Sequence, residues 1–130
     1  MKQVQDDIKA FMQGCDQECP DTVQTQLPRD IRDLRMSLIR EEARELLNAI
    51  DVNDLEGIAD GICDLVYVAV GSGIAYGLDM VPFWEEVQRA NMDKLTGPKR
   101  ADGKQLKPEG WRPPDITGLL VEQYRKEAQQ

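Results

Sequence analysis

Two neighbouring helical stretches carry carboxylates on the faces that folding should bury, and few architectures tolerate that. Each helical residue advances about 100° around the axis. From about Asp30 to Ile50, residues Ile31, Leu34, Leu38, Ile39, Leu46 and Ala49 fall on one broad arc, with Glu42 and Glu45 inside it and Glu41 at its edge. From about Asp54 to Tyr76, apolar residues such as Ile58, Ile62, Cys63, Leu65, Val66 and Val70 surround most of the circumference, as in a central, buried helix. One narrow stripe interrupts them: Glu56, Asp60, Asp64, Tyr67 and Gly71. Taken singly, any acidic pair is an ordinary solvated face, with Arg35, Arg40 or Arg44 as salt-bridge partners. Taken together, acids on two faces that should meet repel one another unless protons or divalent cations neutralise them.

The remaining periodicity is also helical. Val4, Ile8, Phe11 and Met12 predict an amphipathic helix over roughly residues 2–13. Residues 14–29 are polar, contain two prolines and read as a loop, after which Asp30 suits an N-cap. Pro82 fits the first turn of a helix running to about Leu95, and a short helix near Ile116–Lys126 closes the chain. Between them lies a turn-rich connection in which Asp102-Gly103 favours a tight hairpin. The expectation is an all-α bundle, one domain over residues 1–130.

Composition narrows the chemistry. The 130 residues include no His, which removes Ser-His-Asp and Cys-His catalysis and imidazole zinc sites. Cys15, Cys19 and Cys63 are too few for a disulfide framework, and Cys63 reads as a small core residue. No apolar run approaches a membrane span and the N-terminus lacks a signal-peptide core, so a cytoplasmic protein without membrane association is expected. Net charge is −8, a poor basis for stable nucleic-acid binding. The charge is uneven, however. Lys94 to Arg112 holds six basic and two acidic residues, a local +4 that leaves −12 elsewhere.

An all-oxygen donor set without His or Cys suits a hard cation, Mg²⁺ or Mn²⁺. Mg²⁺ held by carboxylates keeps positions open for water and phosphate oxygens, so metal-assisted phosphoanhydride cleavage is the leading reaction class. Asn91 and Lys94 share a helix face, and Lys99, Arg100 and Lys104 follow, a basic segment over about residues 94–115 suited to phosphates. Trp84, Trp111 and Tyr67 are each more often core or interface than base contacts.

These residues resemble a known family. Glu41-Glu42-Ala43-Arg44-Glu45 is similar to the E-E-x-x-E motif of the MazG-like all-α nucleoside triphosphate pyrophosphohydrolases, a superfamily that includes dimeric dUTPases and phosphoribosyl-ATP pyrophosphohydrolases. Asp64-Leu65-Val66-Tyr67-Val68 resembles its second acidic helix, and Asn91-Met92-Asp93-Lys94 matches the following helix. Gly97 to Gly103-Lys104, then Gly110-Trp111-Arg112-Pro113, is similar to a bacterial and phage subgroup. The likeness spans roughly residues 4–116. E-E-x-x-E alone is weak, but these motifs in this order are fairly specific. One departure stands out: the family's E-x-x-D places Glu at position 61, where this chain has Gly61, and Asp60 is the neighbouring acid placed to replace it.

The resemblance implies hydrolysis of a (deoxy)nucleoside triphosphate between its α and β phosphates, in nucleotide-pool sanitation or remodelling. It makes Glu42, Glu45, Asp60 and Asp64 ligands of two or more Mg²⁺ or Mn²⁺ ions. Glu41 is a further ligand or the base toward water. Asn91, Lys94, Lys99, Arg100 and Lys104 would hold phosphates. A homodimer or homotetramer is implied, in the cytoplasm, or in the host cytoplasm if the chain is phage-encoded. The alternatives are phosphoribosyl-ATP as substrate, or a non-catalytic helical module that binds a nucleotide or partner.

Overall fold

The computed structural model describes residues 1–129 and is all-α: helices α1 (Lys2–Gly14), α2 (Arg29–Asp51), α3 (Leu55–Ala75), α4 (Met80–Met92) and α5 (Ile116–Ala128), with a 3₁₀ turn at Asp93–Thr96. Among the described residues the one β feature is an isolated antiparallel bridge, Lys99 with Gln105. It closes the small hairpin expected at Asp102-Gly103, where Gly103 takes a positive φ of 89°. The chain divides into two compact units, Met1–Met80 and Val81–Gln130, with the boundary in the first turn of α4.

In the first unit α3 packs against both α1 and α2. Ile8, Met12, Leu27, Val70, Ile74 and Ala75 form its core, with Met1, Cys19, Ile31 and Tyr76 against it. The polar loop after α1 is tied to the end of α3: Gln24 N–H donates to Tyr76 O at 2.8 Å. Gly77 follows at φ 70°, and a Cβ there would collide with the Thr22 carbonyl oxygen, so this turn requires glycine. Asp54 caps α3 as its chain position suggests, accepting from Gly57 N–H at 3.1 Å. The start of α2 differs. Pro28 is its N-cap and Asp30 lies in the first turn, where a carboxylate still suits the helix dipole.

Three expectations about burial need correction. Cys63 is exposed rather than core. The outer face of α3 is also open, with Leu55 79%, Ile62 49% and Val66 41% exposed. Periodicity marks a face as apolar without saying whether this chain covers it. Finally, α3 is by length and composition apolar enough to cross a membrane, with a mean hydropathy of 1.5, contrary to the expectation that no run approaches a span. Small residues hide this from a count of large side chains. In this fold the helix seats Gly61, Val70, Gly71, Ile74 and Ala75 in the interior of the first unit.

The second unit is organised by Arg89. Its guanidinium forks onto Glu86 at 2.8 and 3.1 Å, reaches Asp93 at 2.7 Å, and donates to the carbonyls of Arg112 and Pro113. Asp115 N–H donates to the same Glu86 carboxylate at 3.1 Å. Hydrogen bonds from Arg89, then from Asp115, pull the Glu86 carboxyl down to about 2. A depressed carboxyl stabilises the fold fully above its ordinary value near 4.5, and that contribution disappears as pH falls toward 2. Glu86→Gln should therefore melt lower than the parent at neutral pH, and the deficit should shrink through that acid window in thermal melts.

Candidate functional site

The acidic residues of α2 and α3 come together within the first unit because the two helices approach closely and in a fixed register. At one end Arg35, only 7% exposed, donates to Val68 O at 2.8 Å and Ser72 Oγ at 3.1 Å. Gly71 leaves room for its guanidinium, since a Cβ would stand 2.5 Å from Nη2. At the other end Asp54 N–H donates to Ala49 O at 2.9 Å. Between these ties, a Cβ on Gly61 would stand 3.2 Å from both Cα and Cβ of Leu46. Arg35 thus braces α3 and does not pair with an acid of α2. Burial lowers its pKa.

This register lines a groove of about 340 Å³ with Glu45, Asn48, Asp54, Asp60, Gly61 and Asp64 among its walls. Glu42 sits on the same side with one oxygen, Oε2, buried and without a hydrogen-bond partner. Its pKa is raised by burial, then by Glu45, Asp64, Glu41 and Asp60. Those five carboxylates are the five expected from the sequence. Glu41, Glu42, Glu45, Asp60 and Asp64 enter no ion pair among the described residues, so Arg40 and Arg44 do not neutralise them. Asn48 is a groove residue that sequence reasoning missed, because a lone Asn on an α-helix carries no pattern.

Also among the described residues, no three acidic side chains stand close enough to form a ready-made metal site. The donor chemistry nevertheless fits a hard cation. An unpartnered buried carboxylate oxygen surrounded by four more carboxylates lacks positive charge, and all the donors are oxygens. Tyr67, on the same stripe of α3, meets the exposed Phe11 edge-on at 5.5 Å between centroids.

The expected phosphate ligands lie in the second unit. Lys94 Nζ donates to Asn91 Oδ1 at 3.1 Å, so that pair is formed. Arg100 is turned back onto Asp102 within the hairpin, and Lys99 and Lys104 are exposed beside it. Gln105 fastens the hairpin to the 3₁₀ turn through Lys94 O at 2.8 Å and Gly97 O at 2.7 Å.

Two predictions follow from the packing. Gly61→Glu, which restores the family's acid, should force α2 from α3 and lower the melting temperature, an overpacking cost of about 1–3 kcal/mol, without raising activity. Higher activity at unchanged stability would show that position 61 is a vacant ligand site. Glu42→Gln should melt higher than the parent in metal-free buffer near neutral pH. Because the native carboxyl has a raised pKa, lowering the pH through that raised range protonates the parent and closes the gap.

Comparison with known proteins identifies the family. A stretch of 47 residues, 36% of the chain, is 40% identical to the protein named "Uncharacterized protein L479" of Acanthamoeba polyphaga mimivirus, and spans only 19% of that protein's length. Residues 7–91, which include the whole of α2 and α3 and continue through Asn91, match the family described as phosphoribosyl-ATP pyrophosphohydrolase. That description corresponds to the alternative substrate rather than to a free deoxynucleotide. With E-E-x-x-E on α2 facing Asp60 and Asp64 on α3, the chain belongs to the phosphoribosyl-ATP pyrophosphohydrolase, or MazG-like, family.

Proposed function

We infer that this protein hydrolyses the α–β phosphoanhydride of a nucleoside triphosphate moiety with the help of a divalent cation. The single observation that carries the reading is Glu42, whose buried oxygen lacks a partner while Glu45, Asp64, Glu41 and Asp60 add like charge around it. Natural folds give up stability in this way where function requires it. Glu42, Glu45, Asp60 and Asp64 would hold Mg²⁺ or Mn²⁺, which when bound would screen the phosphates and acidify a water. Glu41, exposed at the rim, is placed either to add a ligand or to accept the proton of the attacking water. Asn91 and Lys94 would take phosphate oxygens, with Lys99, Lys104 and, on release from Asp102, Arg100.

The family match favours phosphoribosyl-ATP over a free (deoxy)nucleoside triphosphate as substrate. The exposed apolar face of α3 supports a homodimer or homotetramer that covers it. The strongly acidic chain argues against stable nucleic-acid binding, and a nucleotide substrate supports a cytoplasmic setting. A panel comprising phosphoribosyl-ATP, deoxynucleotides and ribonucleotides, assayed for pyrophosphate release, tests substrate and reaction together. Activity should vanish in EDTA. Glu45→Gln should lose about 100-fold or more in kcat, and Mn²⁺ should raise the parent's Tm by mass action far more than the variant's. A fully active Glu45→Gln protein, or a panel with no turnover, would overturn the reading; the latter would leave a nucleotide-binding module.

A further inference from the structure

Trp111 stands in a distinctive electrostatic setting in the second unit. Its indole Nε1 donates to Ala90 O at 2.7 Å, which fixes the ring against the last turn of α4. Two ammonium groups share that ring: Lys94 Nζ lies 5.1 Å from the centroid and Lys107 Nζ 4.8 Å. Neither lysine enters an ion pair among the described residues. Glu86 and Asp93 are engaged by Arg89, and Asp102 by Arg100. Glu109 lines the groove of about 430 Å³ beside the ring but makes no ion pair with either lysine. The face of an aromatic ring attracts each cation, yet it cannot neutralise two. Two ammonium groups around one ring, neither with a carboxylate partner, suit a ligand that carries two linked anionic groups.

We propose that Lys94, Lys107 and Trp111 form a binding site for anhydride-linked phosphate, with each ammonium donating to one of two adjacent phosphates and Trp111 acting as the positioning residue. Lysine binds phosphate as a compact point charge, so its placement must come from elsewhere, and here the ring supplies it. Inorganic pyrophosphate and the polyphosphate tail of a nucleotide share this chemistry. A lone oxyanion engages one ammonium at a time. The proposal deepens the phosphate-binding reading of Lys94 and rests on it. Its new members are Lys107, which the sequence marks only as part of a basic run, and Trp111, whose ring faces cations here.

The chain has two tryptophans, and Trp84 is exposed, so Trp84→Phe leaves Trp111 as the sole reporter. Titrating that full-length variant with inorganic pyrophosphate, in EDTA and at fixed ionic strength, should give a saturable change in Trp111 fluorescence. Sulfate at matched ionic strength should bind about tenfold more weakly, and adding Lys107→Gln should weaken pyrophosphate about tenfold. Lys107→Arg should restore binding. A nucleoside triphosphate in place of pyrophosphate tells whether the site prefers a nucleotide's tail or the free diphosphate; either preference supports the site. The absence of a saturable change, or Lys107→Gln titrating like its parent, would overturn the proposal. So would a single-stranded oligonucleotide binding more tightly than pyrophosphate, which would mean a nucleic-acid backbone site. Pyrophosphate binding without turnover of any nucleotide would keep this site and remove the hydrolase reading. Parental turnover by Lys107→Gln with no pyrophosphate titration would do the reverse.

Discussion

Gly61 lets the backbone of α3 approach Leu46 of α2 so closely that a Cβ there would press on it at 3.2 Å, and the same glycine forms part of the wall of the acidic groove. Arg35 ties one end of the helix pair through Val68 and Ser72, and Asp54 ties the other through Ala49. Between these ties lie the turns that carry Glu42, Glu45, Asp60 and Asp64. Glu42 is half-buried with its Oε2 shielded from solvent, although an isolated helix would turn it toward water. The departure from the family pattern at Gly61 is thus part of the helix packing, while Asp60 supplies an acid on the groove side.

The buried arginine and the unpartnered glutamate are two parts of one arrangement. Arg35 precedes Glu42 by two turns of α2, roughly 10 Å along the axis, too far for an ion pair. Instead its hydrogens go to a helix carbonyl and a serine hydroxyl, at a desolvation cost that lowers its pKa. Among the described residues the carboxylates of α2 and α3 named above have no ion-pair partner either. A proton or a cation from outside the chain would relieve such an arrangement, which is why the proposed activity rests on Glu42 rather than on a count of acids.

In the second unit the charges are sorted in the opposite way. Arg89 takes up Glu86 and Asp93 and holds the segment that follows Trp111, and Asp102 is taken by Arg100 within its own turn. That sorting leaves Lys94 and Lys107 over an aromatic ring with no carboxylate engaged to them. Each unit therefore carries an excess of one sign close to the residues that the family pattern singles out.

Much of this was legible in the sequence. The helices follow from spacing alone, to within a few residues at each end, and so does the hairpin at Asp102-Gly103. The five acids of α2 and α3 could be named because their positions break the apolar arcs of two helices, a conflict visible without coordinates. Other features were not legible. Arg35 reads as an ordinary surface cation, Cys63 and Ile62 read as core, and Trp111 gives no sign of the lysines above it. Periodicity reports which residues share a face of one helix. It does not report what that face meets, because burial, pairing and pKa depend on distances between residues far apart in the chain. The sequence alone determined which charges lie on which helix face. The tertiary structure decided which of them are neutralised and which are left for a ligand, since electrostatic and hydrogen-bond energies are set by approach and solvent exclusion rather than by order along the chain.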